Sequence, residues 1–507
     1  MGGQLSSLCR PDILPGHLAR YTKPVTSLTC LPLPFPVEPK DAFPLVAGTN
    51  PYAFWLDSAR DESPMSRYSY LGAPHDGGAL RYESAGLTQP QVSVLDGKGA
   101  MRRTLPGTIW QVLPRMLAYA PAITGAENLL LDALPGGYVG FMGYEAHADF
   151  ELTNFHHQHP YRQASTPDAL WMPATHYLAY EHASGKAWLI GPDAWVQQTA
   201  RRLAEVGEST GARTMQARAY APAIPDFPLP DRDDYLAKVQ ESQREIFEGN
   251  SYEVCLTAET STRVQPALDE ADLLALYLAQ REKNSAPYAS FLRCDEFTVL
   301  SSSPEKFLSV TAGGHAESKP IKGTVPRGAT SEEDAAASAW LAADPKTRAE
   351  NLMIVDLLRN DLSLVSYPES VRVPVLMGVE SYSTVHQLVS TITAQLRPGV
   401  TAVDATAACF PGGSMTGAPK ASTMAIIDRL EGRARGVYSG ALGYFGADGS
   451  AALSIVIRTL VAYRDGTLTL AAGGAIVADS DPVAEYDEMV TKLRAAVPRP
   501  ADGVAGA

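Results

Sequence analysis

Lys346-Thr347-Arg348-Ala349-Glu350-Asn351-Leu352-Met353-Ile354-Val355-Asp356-Leu357-Leu358-Arg359-Asn360-Asp361 is the stretch on which the reading of this chain turns. It runs as a helix, with Glu350 upon it. A second pair of carboxylates, Glu485 and Glu488, lies at i and i+3 on the last clear helix, which opens at Asp481-Pro482 with a capping residue and a first-turn proline. Both therefore project from one face. Oxygen ligands drawn from two helices suit a magnesium ion, with water and substrate oxygens completing the octahedron. Spacing alone leaves two readings open, a solvated helix face and a metal site.

Outward from these helices, the chain has 507 residues, 45% apolar and 19% charged, too many for one ordinary core and well able to bury one. The net charge of -14 and the lack of a basic stripe exclude a nucleic-acid binder, though not a small anionic substrate held by a few placed cations. Cys9, Cys30, Cys255, Cys294 and Cys409 form no CxxC pair, so neither a zinc site nor a disulfide framework is expected. No apolar run is long enough to cross a bilayer. The N-terminus lacks the build of a signal peptide, and Gly2 matches a myristoylation pattern only loosely. A cytoplasmic protein without a membrane association is expected.

The seam of the chain is the Pro-rich connector 221–230, which ends Pro225-Asp226-Phe227-Pro228-Leu229-Pro230. It divides an N-terminal lobe, 1–220, from a C-terminal one, 231–500, with a loose tail at 501–507. Before it, stretches such as Gly136 to Tyr144 read as strands and turns. After it, a helix begins at an Asp231 cap and stops at Gly249-Asn250. The loop Pro411-Gly412-Gly413-Ser414-Met415-Thr416-Gly417-Ala418-Pro419-Lys420 precedes a helix and offers free backbone N–H groups to an anion, or is simply a turn. Gly473-Gly474, after the strand Thr467 to Leu470, marks a bulge or a tight approach. Lys322, between Ile321 and Gly323, is an ordinary loop lysine unless desolvation or neighbouring cations lower its pKa. The cluster His156-His157-Gln158-His159 reads as an exposed loop.

In order, Gly249-Asn250-Ser251-Tyr252-Glu253-Val254, Ser303-Pro304-Glu305, Pro320 to Thr324, Arg348 to Met353, Asp356 to Asp361, the Pro411 to Lys420 loop, Tyr438-Ser439-Gly440, Ile457-Arg458-Thr459 and Glu485-Tyr486-Asp487-Glu488 resemble the chorismate-utilising enzymes. That family includes the anthranilate, aminodeoxychorismate, isochorismate and salicylate synthases. The N-terminal half resembles it more weakly, through Leu56-Asp57-Ser58, Ser66 to Ser69 and Gly136 to Tyr144. The resemblance implies an α+β fold of two interlocked lobes built on packed antiparallel β-sheets flanked by helices.

It also implies roles. Glu350 and Glu488 would hold Mg2+ with Glu485 in its outer shell, and the metal would grip a chorismate carboxylate. Arg458, Tyr438 and Lys492 would hold carboxylates, helped by backbone N–H groups near Gly474 and by Thr416-Gly417. Glu305 would be the general acid for the C4 hydroxyl. Lys322, where anthranilate synthases typically carry Ala, would attack C2 as in the aminodeoxychorismate branch, and must lose its proton to do so. Ammonia from a separate glutamine amidotransferase subunit would then add at C4. Anthranilate synthesis, or an inactive chorismate-binding paralogue, are the competing readings.

Three positions depart from the family pattern. Thr347 replaces a frequent carboxylate, which predicts weaker magnesium binding. Gln387 stands where many relatives have His, with His386 one residue earlier as the substitute candidate. Glu253 replaces Gln, or the Lys of water-adding members, and is expected to position ammonia. Ser58 lies where some relatives begin a tryptophan pocket.

Overall fold

The computed structural model describes residues 27–58, 67–84, 89–125, 133–149, 162–209, 221–382 and 385–497. The N-terminal myristoylation pattern, Cys9, the 156–159 histidine cluster and the 501–507 tail lie outside them.

Alternating Val, Ile, Leu and aromatic residues form two 12-stranded sheets among the described residues. The first begins at an edge strand, Gly417–Ala418, and passes through Glu253–Arg263, Thr467–Ile476, Thr459–Tyr463, Phe297–Ser303 and Tyr288–Cys294. It then continues through Tyr52–Asp57 into the N-terminal half. The second begins at Ile321–Pro326 and crosses at Ala441–Gly446, which pairs with Gly137–Met142. Pairing is antiparallel except where Ser27–Pro32 meets Ala122–Thr124. The mostly antiparallel sheets flanked by helices are the α+β architecture expected.

Two pairings, Tyr288–Cys294 with Tyr52–Asp57 and Ala441–Gly446 with Gly137–Met142, hydrogen-bond residues from opposite sides of the connector. The lobes are thus interlocked by shared sheets. Phe54, Phe141, Val299 and Leu442 meet in one buried cluster drawn from both sheets and both halves. The connector itself is extended and held down: the Tyr486 hydroxyl donates to the Pro230 carbonyl at 3.0 Å.

The helices start where their caps predict. Arg232–Phe247 opens with the Asp231 carboxylate accepting from the Asp234 N–H at 2.8 Å. Pro345–Ser363, which carries Glu350, has Pro at its first turn and Asp344 accepting from Thr347 N–H at 2.8 Å. Pro482–Ala496, which carries Glu485 and Glu488, is capped by Asp481. Among the described residues no helix is long and apolar enough to cross a membrane.

Gly473 and Gly474 lie inside the strand Thr467–Ile476, which runs past the Leu470 end expected from the sequence. A Cβ on Gly473 would stand 2.2 Å from the Leu256 carbonyl, so the glycine permits a close approach of the partner strand.

Candidate active site

Lys322 is in a strand, not a loop. Its register against Val385–Gln395 slips between Ile321 and Thr324, so the lysine sits in a bulge that re-aims its side chain. Gly323 follows at φ +83°, where a Cβ would collide with Thr347 Cγ2 at 2.4 Å. The lysine is buried, and its Nζ donates to Glu253 Oε1 at 2.9 Å and lies 3.8 Å from Glu350 Oε2. Burial opposes its charge, but Glu253 and Glu350 outweigh burial and hold Lys322 above the ordinary lysine range. The lowered pKa that the sequence reading required is therefore absent from this state. An ammonium beside two carboxylates can act as a nucleophile only after it has given up its proton.

Glu253 opens the strand Glu253–Arg263 and is fully buried. While Oε1 takes the lysine, Oε2 has no hydrogen-bond partner. A buried carboxylate oxygen without a partner is costly and marks a place for another donor.

Glu305 lies between Phe297–Ser303 and Lys306–Val310, where the chain leaves the first sheet for the second. Burial pushes its pKa up to about 7, against the Ser414 hydrogen bond and the positive charges of Lys322, Lys492 and Arg458. A carboxyl poised there delivers a proton near neutrality.

Of the three helix carboxylates, Glu350 lies beside Lys322. Lys346 Nζ is 3.0 Å from Glu485 Oε1 and 4.0 Å from Glu350 Oε1, while Lys492 Nζ is 2.7 Å from Glu488 Oε1. The donor chemistry, oxygen-only and from two helices, suits a hard divalent cation. No three His, Cys, Asp or Glu side chains among the described residues stand ready as a metal cage. Each glutamate instead holds a lysine of the chain.

Around them, Lys492 Nζ donates to the Gly473 carbonyl at 3.0 Å, and a Cβ on Gly474 would stand 3.0 Å from Glu485 Oε2. The Cys255 N–H donates to the Thr416 carbonyl at 2.8 Å, and Gly417 and Ala418 pair with Val254 and Glu253, so the glycine loop is strapped to the Glu253 strand. Arg458, at φ +51°, sits just before the strand Thr459–Tyr463. Tyr438 lines a polar cavity of about 200 Å³ with Arg433, Arg435, Thr459 and Thr469; Lys322, Glu253 and Glu305 do not line it.

Residues 83–498 match the family model described as chorismate binding enzyme. The chain belongs to the chorismate-binding enzyme family. It is 44% identical over 494 residues to an aminodeoxychorismate synthase of Streptomyces pristinaespiralis, across 94% of this chain and 65% of that protein. The chain thus spans less than two thirds of that relative. An anthranilate synthase component 1 of Haloarcula marismortui is 32% identical over 509 residues, covering 94% of this chain and 92% of its own. Among solved structures, anthranilate synthase component I of Streptococcus pneumoniae superposes with a TM-score of 0.69 at 27% identity, covering 86% of this chain and 93% of that one.

Within this family fold, other residues singled out by sequence fall outside the cluster. His386 is buried with Nδ1 at 2.7 Å from the Ser381 hydroxyl and Nε2 at 2.9 Å from Asp334 Oδ1. Both ring nitrogens are thereby engaged with a neighbouring strand and helix. Gln387 Nε2 donates to the Thr324 hydroxyl at 3.4 Å, beside the lysine strand. Ser58 Oγ donates to the Tyr68 carbonyl at 2.9 Å in the N-terminal half.

Two neighbours of the site were not among the residues chosen from sequence. Ser414, which hydrogen-bonds Glu305, was signalled by its place in the glycine loop. Lys346 was signalled by standing four residues before Glu350, one helical turn away.

Proposed function

We propose that this chain is the synthase component of an aminodeoxychorismate synthase, converting chorismate and ammonia to 4-amino-4-deoxychorismate in the cytoplasm, for 4-aminobenzoate. The observation that carries the reading is the buried Lys322 hydrogen-bonded to Glu253, beside the glutamate of the candidate metal site. The name of the Streptomyces relative supports it. The four described cysteines are all buried and none is in a disulfide, which accords with a reducing compartment.

Binding a dianionic ring draws Arg458 and Lys492 to its carboxylates. Magnesium, when bound, would be held by Glu350 and Glu488 with Glu485 behind them, and would supply positive charge to a substrate carboxylate. Lys322 passes a proton to Glu253 Oε1, and its freed nitrogen bonds to C2 of chorismate. Both ring double bonds shift, C1=C2 to C1=C6 and C5=C6 to C4=C5, as the C4–O bond breaks, and Glu305 gives its proton to the departing hydroxyl, which leaves as water. Ammonia, positioned at Glu253, then bonds to C4. Both double bonds shift back and the C2–N bond breaks, returning its electron pair to Lys322.

Three of the described cysteines, Cys255, Cys294 and Cys409, have thiols pushed up by burial, which suits packing rather than the thiolate that glutamine hydrolysis needs. A glutamine amidotransferase subunit is accordingly proposed as the ammonia source.

The test is to incubate the chain with chorismate, magnesium and ammonium and identify products by mass, with Lys322→Ala alongside. An aminated product that keeps its pyruvyl group, lost in Lys322→Ala, is expected. Anthranilate instead would move the chain to the neighbouring branch. No turnover, even with a cognate amidotransferase, would favour an inactive paralogue.

A further inference from the structure

The site carries more positive charge than the substrate chemistry uses. Lys322 is committed to Glu253 and to bond formation. Lys492 reaches one carboxylate, Glu488, four residues away on its own helix, and the Gly473 carbonyl. Lys346 is different, because it joins two helices. From the first turn of Pro345–Ser363 its Nζ reaches Glu485 Oε1 on Pro482–Ala496 at 3.0 Å, and it lies 4.0 Å from Glu350 Oε1 on its own helix.

Its target is fixed from behind. The Ser480 hydroxyl donates to the same Glu485 oxygen at 2.7 Å, and Glu485 is buried, so the carboxylate stays where it is whether or not the lysine is present. The lysine is less constrained. Its side chain is 48% exposed, on a flexible stem with water at hand, so it can leave without stranding a charge. Three acidic groups gathered without a cation would repel one another, which is the condition a tethered ammonium relieves.

We propose that Lys346 is a built-in counter-ion for the metal-binding carboxylates. It bridges the Glu350 and Glu485 helices in the metal-free protein and is displaced when a divalent cation enters. This rests on the assignment of Glu350, Glu485 and Glu488 to magnesium. The charge of Lys346 competes with the cation, and so Lys346 sets how much magnesium is needed to fill the site. Thr347, where relatives often add a carboxylate, lowers the site's negative charge in the same direction.

The experiment uses the full chain without substrate. Magnesium affinity is measured by calorimetry and manganese affinity by water-proton relaxation, for the wild type, Lys346→Gln and Lys346→Arg. Thermal unfolding in a chelator accompanies both. With the competing charge removed, Lys346→Gln is expected to bind either ion about two- to fivefold more tightly, the range of one partly exposed ion-pair interaction. It is also expected to unfold at a lower temperature in chelator and to gain more from added magnesium than the wild type does. Lys346→Arg, which keeps the charge, is expected to match the wild type. Binding that Lys346→Gln fails to tighten, or that Lys346→Arg tightens equally, overturns the inference and leaves the magnesium assignment standing. No binding by any of the three overturns the magnesium assignment and this inference with it.

Discussion

Replacing Glu253 by Gln tests whether Lys322 is held charged by its partner. The Glu253 side chain is wholly buried and that of Lys322 is 10% exposed, so neither charge is satisfied by water. Removing one member of a buried pair while the other stays charged costs about 3–5 kcal/mol. Two features reduce that here. Gln retains an oxygen to accept from Nζ, and Glu350 at 3.8 Å still offers a negative charge. A loss of roughly 2–3 kcal/mol near neutral pH is therefore expected.

The pH dependence is the sharper signature. In the wild type Lys322 lies above its ordinary value, so its stabilising contribution is complete below that value and is lost only at strongly alkaline pH. In Glu253→Gln burial gains ground and lowers the lysine pKa. The unfolded chain then binds the proton more firmly than the folded one, and stability rises with pH toward the ordinary lysine value of about 10.4. Urea unfolding from about pH 6 to pH 9 on the wild type, Glu253→Gln, Lys322→Met and the double variant reads this directly. A Glu253→Gln profile parallel to the wild type, with no loss of stability, would refute the reasoning. So would a double-variant cycle showing no coupling between the two positions.

Glu305 and the glycine loop supply two further predictions. If protonated Glu305 is the acid, kcat falls as pH rises through about 7, and Glu305→Gln lowers kcat by roughly 10²–10⁴-fold while removing that limb. Because its folded pKa is raised, Glu305 favours folding below its unfolded value. That stability, on the order of 3 kcal/mol, is lost as pH climbs through about 7, and urea titrations of Glu305→Gln should show a shallower decline. Gly417→Ala places a Cβ 1.9 Å from the Glu253 carbonyl at a φ of +133°, so it should cost roughly 2–4 kcal/mol in urea unfolding and lower kcat together. A stable, fully active Gly417→Ala would show that the loop is not strapped to the Glu253 strand as described.

Local signals carried the helices. Asp231, Asp344 and Asp481 cap them as their positions suggest, because capping depends on contacts within one turn. Glu350, Glu485 and Glu488 were legible for the same reason, and the family resemblance joined them to Lys322 and Glu305. The surroundings of His386 were not legible: its ring meets the carboxylate of Asp334, on a helix 52 residues away in sequence. Lys322 read as a loop lysine by itself, since a bulge is a property of two strands in register and not of one.

By itself the sequence determined most of the elements and the family, and it named the side chains proposed to react, all of which rest on local spacing or on motifs. Tertiary structure alone decided that the connector divides no sheet, since Tyr288–Cys294 and Ala441–Gly446 find their partners across it. It also decided charge. Lys322 and Glu305 depart from their ordinary pKa values because burial, Glu253, Glu350 and Ser414 surround them, and those neighbours come from strands, helices and loops distant in the chain. Electrostatic energy depends on distance and dielectric rather than on order along the chain, so it exists only once the chain has folded.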